Sequence, residues 1–180
     1  MKKFELTSET KINIFGKKLF RIKALISFAD VEAGETGGWV EKEGNVNQSG
    51  NAWVYGDAMV SGNAKVYGDA MVYDNAKVYG NAEVYGNAEV SGDAWVYGNA
   101  KVYGNAEVSG NADYTTIHGF GTQFRTTTFF RCKDKKVRVA CGCFFGTIPE
   151  FREQVKNTRK GKIAEEYLMI ADLMENHFEK

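Results

Sequence analysis

The chain has 180 residues, and its 23 lysines and arginines cancel its 23 aspartates and glutamates, which argues against a protein that coats extended nucleic acid. No apolar run reaches the length a bilayer requires, and Met1, Lys2 and Lys3 lead straight to Phe4 and Glu5 without an apolar signal core. Three cysteines, all after residue 130, make a disulfide framework unexpected and predict a reduced, cytoplasmic setting.

Residues 1–36 read as an N-terminal β cap. Lys11 to Phe15 and Leu19 to Ile26 have strand character about a Gly16-Lys17-Lys18 turn, and a repeat array needs an end piece that hides its first unit. The array itself is read over residues 37–114. Valine recurs at positions 54, 60, 66, 72, 78, 84, 90, 96, 102 and 108, with alanine four residues after each. Asn or Asp precedes every one of these alanines, and Gly precedes that residue except at Asp74. One apolar and one small residue per six, with corner residues that tolerate left-handed backbone angles, predict a short strand and a tight turn per unit and hence a solenoid. Val40, Val46 and Ala52 share the phase of Ala58, so the array is expected to begin near Gly37 with imperfect units that carry Lys42 and Gln48 in the valine phase.

This pattern resembles the hexapeptide-repeat, left-handed parallel β-helix superfamily, although Tyr or Ser stands where that family usually has Gly after the aliphatic residue. The resemblance implies a mainly β, left-handed parallel β-helix with three units per coil. The hand comes from the resemblance alone, since general crossover rules favour the opposite one. With three units per coil, residues 18 apart stack, and the side chains flanking each valine form three outer walls. One wall stacks Lys65/Tyr67, Glu83/Tyr85 and Lys101/Tyr103; a second carries Met59/Ser61, Lys77/Tyr79 and Trp95/Tyr97. The third runs from Trp53/Tyr55 and Met71/Tyr73 to Glu89/Ser91 and Glu107/Ser109. Exposed aromatic stacks mark contact patches, or else they only stabilise neighbouring strands. Trp53, Tyr55, Met71 and Tyr73, with the Tyr67, Tyr85 and Tyr103 ladder, are therefore candidate interface residues. The resemblance implies a homotrimer.

Residues 115–180 read as an α+β unit of a β-hairpin and two helices. Tyr114 takes the next valine position, and Ile117 to Gly121 form a glycine-hinged exit. Arg125 to Cys132 and Lys136 to Phe144 alternate as two strands about Lys133-Asp134-Lys135. Thr128, Phe130 and Cys132 are grouped with Val137, Val139, Cys141 and Cys143 as the apolar side. The opposite side would gather Arg125, Thr127, Phe129, Arg131 and Arg138, with His118 approaching from the exit. Guanidinium forks suit phosphate or carboxylate oxygens and Phe129 would stack on a base; the alternative is a solvated strand face. Thr147 to Glu150 carry a capping box with proline in the first turn. A short helix to Lys156, a basic loop from Asn157 to Lys162 and a longer helix with Ile163, Tyr167, Ile170, Met174 and Phe178 on one face follow. The cysteines lack the spacing of a zinc site and read as small hairpin-core thiols, so neither a metal nor a cofactor is expected.

The superfamily resemblance also implies acyl transfer from coenzyme A with a histidine base. The repeats contain no histidine and no inserted loop, which leaves His118 as the candidate base. A closer similarity is to small repeat proteins of phage and prophage genomes. It is carried by Leu19 to Leu25, Gly37 to Gly44, His118 to Phe130 and Cys141 to Thr147. The reading that follows is a non-enzymatic, phage-associated binding protein in the bacterial cytoplasm, capturing a host protein or a small anionic, nucleotide-like ligand to counter antiviral defence. A hexapeptide-repeat acyltransferase and a structural phage or scaffold component are the alternatives.

Overall fold

The polar alternation near the N-terminus folds into a hairpin: β1 (Phe4–Ile12) pairs antiparallel with β2 (Lys18–Ala24), turning at Gly16 with φ +73°. β3 (Thr36–Val40) pairs antiparallel with β2 and then parallel with the strand Met59–Val60, joining the hairpin to the repeats in one sheet. The repeats supply two-residue strands every six residues, from β4 (Trp53–Val54) to β13 (Glu107–Val108), in the computed structural model, which describes residues 2–179. Trp53 pairs with Met71, Lys65 with Glu83 and Lys77 with Trp95, each 18 residues on. Three parallel stacks result, and the molecule is mainly β, built on a β-solenoid. Each coil donates its N–H groups to the carbonyls of the next, as from Tyr55 to Val72 at 2.8 Å and from Asn81 to Gly98 at 2.8 Å. The repeat valines and alanines are buried inside, where each valine contributes about 1.5–3 kcal/mol of apolar burial.

The corners adopt the left-handed backbone their residues suggest: Gly80 has φ +74°, and Asp74 takes φ +59° where the glycine is missing. A Cβ at Gly80 would lie 3.0 Å from Gly98 N and 3.2 Å from Gly98 O, backbone atoms that have no side-chain freedom to yield. Gly80→Ala is expected to cost about 1–3 kcal/mol, read as a lower midpoint in urea, whereas Asn81→Ala at the exposed neighbouring position is expected to change the midpoint little.

The first coil departs from the expected phase. Val40 lies over Val60 and Val46 over Val66, 20 residues apart and not 18. Two extra residues occupy the corner between Val46 and Trp53, which moves Val40 and Val46 out of the alanine phase and into the valine stacks. The insertion has a use, because Gln48 Oε1 accepts from the N–H groups of Lys3 (2.8 Å) and Phe4 (3.2 Å) while its Nε2 donates to Phe4 O (3.1 Å). The same end of the solenoid has carbonyls that no earlier coil reaches. Asn45 Nδ2 donates to Gly62 O and Ala64 O at 3.2 and 2.8 Å, and the buried Lys3 Nζ donates to Gly50 O and Ala52 O at 3.2 and 2.8 Å.

Contacts divide the chain into two units, Met1–Asn111 and Ala112–Lys180. The second unit contains four antiparallel strands where the sequence suggested two: β14 (Tyr114–Phe120), β15 (Arg125–Arg131), β16 (Val137–Cys141) and β17 (Phe144–Thr147). The supposed exit segment is itself a strand. Thr147 and Glu150 form the capping box that starts α1 (Ile148–Thr158), and α2 (Gly161–Phe178) follows. Phe129 and Val139 form a core with Phe151, Val155, Tyr167, Ile170, Met174 and Phe178. Among the described residues no helix is long and apolar enough to cross a membrane.

Candidate functional site

The turn between β15 and β16 decides which side chains meet. Lys135 has φ +62° and its N–H donates to Cys132 O at 2.7 Å, closing a three-residue loop that sets Arg131 opposite Val137 and Phe129 opposite Val139. Directly opposed residues share a face, so odd-numbered residues of the two strands lie together. The expected grouping was one residue out of register, and a slip of one residue exchanges the faces of a strand. Arg138 pairs with Phe130, on the face opposite Arg125, Thr127, Phe129 and Arg131.

The expected convergence of arginines is corrected accordingly. Phe129 is fully buried and makes an edge contact with Phe151 at 6.3 Å, so it has no face to offer a base. Thr127 is also buried, and its hydroxyl donates to Cys141 Sγ at 3.2 Å. Arg131 donates to Phe178 O at 2.7 Å and lies 3.4 Å from the Asp113 carboxylate. Arg138 bonds Asp134 at 2.7 Å, an interaction that holds the Asp134 carboxyl below its ordinary range. His118 is exposed, with Nδ1 3.2 Å from Thr126 Oγ1, again opposite the Thr127 face.

Arg125 has a different environment. Gly142, at φ +63°, lacks the Cβ that would collide with the Arg125 guanidinium, and Arg125 lines a cavity of about 360 Å³. Arg159 lines it too, together with Gln123, Gln154 and Thr158, over walls formed by Phe144, Phe151 and Tyr167. No carboxylate is among the described residues that line it. Thr158 ends α1, whose terminal carbonyls disfavour an anion, but Arg159 Nη1 donates to Thr158 O at 3.2 Å and brings positive charge to that rim. The Tyr167 hydroxyl donates to Phe120 O at 3.2 Å, and burial, with the Cys141 thiol beside it, raises its pKa. The arrangement suits an anion carried on a planar body.

The basic loop at Asn157 to Lys162 was the sequence signal for Arg159. Its meeting with Arg125 depends on how α1 and α2 pack, which no local pattern encodes. Cys141 is half-buried beside the core, Cys132 is buried with its thiol pushed up to about 11, and Cys143 is exposed at the cavity. The expectation of three core thiols therefore fails at Cys143, which occupies the two-residue turn between β16 and β17. No group of three or more metal-ligating side chains occurs among the described residues.

The interface candidates also divide. Trp53 is fully buried by the chain itself, under the rings of Phe4 at 5.8 Å and Phe28 at 5.4 Å, so the third wall begins beneath the N-terminal cap. Tyr55 and Met71 are half-buried, as is Tyr73, whose hydroxyl donates to Glu89 at 3.2 Å. Tyr67, Tyr85 and Tyr103 stack with parallel rings at 4.7 and 4.6 Å. Burial raises all three phenols, Tyr103 to about 12.

Residues 64–80 match the model of the YdcK β-solenoid repeat. The chain is thus similar to that repeat over nearly one coil, in agreement with the parallel stacks of valines. No curated protein matches the chain.

Proposed function

We propose that this is a non-enzymatic binding protein for a small anionic ligand with a planar group, a nucleotide in the plainest case. Its site is the Arg125–Arg159 cavity. The observation that carries the reading is two guanidinium groups lining one aromatic-walled cavity, with no carboxylate among the described lining residues. Guanidinium forks pair with phosphate oxygens, and Phe144 and Tyr167 offer apolar surface to the planar body. The kinship with phage and prophage repeat proteins, with their left-handed winding, trimeric assembly and bacterial cytoplasmic setting, belongs to the same proposal. Sequestering a nucleotide signal of antiviral defence is a role that such a site would fill. Acyl transfer gains no support, since His118 faces away from the cavity side of the sheet.

Thermal melting with adenine and guanine nucleotides, cyclic dinucleotides and inorganic phosphate tests the proposal. A ligand at 100 times its Kd should stabilise the protein by about 2.7 kcal/mol, a rise of several degrees. Arg125→Ala and Arg159→Ala should each reduce that rise, and the double variant should abolish it. No rise with any of these anions would remove the reading.

A protein partner is the second reading, favoured by Ile12 and Ile14, each 65% exposed, and Phe15, 50% exposed, at the tip of the first hairpin. Replacing both isoleucines with serine should then abolish co-purification of a host protein while leaving the nucleotide response intact.

A further inference from the structure

The tyrosine ladder stops one coil before the solenoid does. Tyr85 covers one face of the Tyr67 ring at 4.7 Å with planes 4° apart. In the preceding coil Val46 lies over Val66, and Asn47 follows Val46 as Tyr67 follows Val66, with Asn47 N donating to Val66 O at 2.9 Å. An amide stands where the next ring would be. The other face of Tyr67 consequently meets a groove of about 590 Å³ lined by Glu43, Asn47, Gln48, Lys65 and Glu83.

This floor is rigid. The Tyr67 hydroxyl donates to Glu83 Oε2 at 3.1 Å, while Tyr85 supports the ring from behind. Around it the groove mixes hydrogen-bonding roles. Glu43 is paired with Lys2 at 2.8 Å and Glu83 with Lys101 at 3.4 Å, each carboxylate keeping lone pairs to accept from a hydroxyl, and Lys65 donates. Asn47 Oδ1 is already engaged by Ser49 N and Oγ at 3.0 and 3.1 Å, which leaves its amide nitrogen as the donor. A phosphate would meet two carboxylates, and a wholly apolar ligand would strip water from charged groups without replacing it. A sugar ring answers both conditions: its C–H face lies on an aromatic ring, and each hydroxyl both donates and accepts. The volume is in the range of small-molecule sites.

We infer that the groove beneath Tyr67 is a monosaccharide-binding subsite, with the tyrosine ring as platform and Glu43, Asn47, Lys65 and Glu83 as hydroxyl partners. It is built from the first unit and the Arg125–Arg159 cavity from the second, and it does not depend on that reading.

Saturation-transfer NMR on the full chain, with the methyl glycosides of glucose, galactose, mannose and N-acetylglucosamine and with adenosine for comparison, tests this. At least one glycoside should receive saturation on its ring protons. Tyr67→Phe keeps the platform and should retain the signal; Tyr67→Ala should weaken binding at least ~10-fold. Asn47→Tyr supplies the absent rung, and should abolish the signal while keeping or raising the melting temperature, so that loss there is not loss of fold. The inference is overturned by silence from all four glycosides, by a signal that survives Asn47→Tyr, or by adenosine binding in their place, which would make the platform a nucleobase site.

Discussion

Val84→Asp should abolish cooperative unfolding of the solenoid. Val84 is fully buried between Val66 and Val102 in one of the three valine columns. The substitution forfeits about 1.5–3 kcal/mol of apolar burial, and the carboxyl it introduces has no partner among alanines and valines. Such a group costs several kcal/mol even after it takes up a proton. The sum, more than about 5 kcal/mol, rivals the whole stability of an ordinary domain. Position matters as well as chemistry. Each coil of a solenoid is supported only by its neighbours, so a fault in mid-stack removes support on both sides, whereas the same fault at an end is met by one. Hydrogen exchange should show protection lost from residues 60–108, and urea unfolding should lose its sharp transition. Val84→Ala, which only leaves a cavity, should cost about 1–3 kcal/mol and keep a single transition. If Val84→Asp melted with the wild-type midpoint, the valine columns would not be what holds the coils together.

Those columns were legible because the same two residues recur in fixed phase, and tertiary structure has little left to decide once valine, alanine and a left-handed corner repeat ten times. The first coil was misread for a physical reason. Val40 and Val46 are spaced to fit the alanine phase, and only the folding of Gln48 onto Phe4 reveals that two residues have been added. Trp53 likewise sits in a position whose equivalents face outward, and nothing in the repeat says that Phe4 and Phe28 will cover it.

The candidate site was legible in composition and not in geometry. Arginines in the second unit point to anion chemistry, but strand faces depend on the loop between them, and Lys135 in a left-handed conformation is a side chain that turn statistics do not flag. With the register shifted, four of the expected contacts become internal: Thr127 on Cys141 Sγ, Phe129 in the core, Arg131 on Phe178 O, Arg138 on Asp134. Of the predicted arginines, Arg125 is the one that lines the aromatic-walled cavity, and its companion Arg159 comes from beyond a helix.

Lys3 offers the second large effect, and its size changes with pH. The ammonium is buried against Gly50 O and Ala52 O, with the Phe28 ring 4.8 Å away, and burial pushes its pKa down to about 8 from the ordinary 10.5. Between those two values the unfolded chain binds more protons than the folded one, so stability rises with pH across that window, by up to about 2–3 kcal/mol. Above pH 10 the half-buried tyrosines oppose it: Tyr67, Tyr85 and Tyr103 stay protonated in the fold while the unfolded chain ionises, so stability falls. Urea midpoints should therefore peak near pH 10. Lys3→Met should remove the rise and, by leaving two carbonyls unmet, cost about 1–3 kcal/mol at pH 7. Lys3→Glu should cost more, over about 4 kcal/mol, because a carboxylate would face two carbonyl oxygens with nothing to accept from. A Lys3→Met protein whose midpoint still climbed from pH 8 to 10 would show that another group titrates there, and that the ammonium does not plug the open end of the first coil.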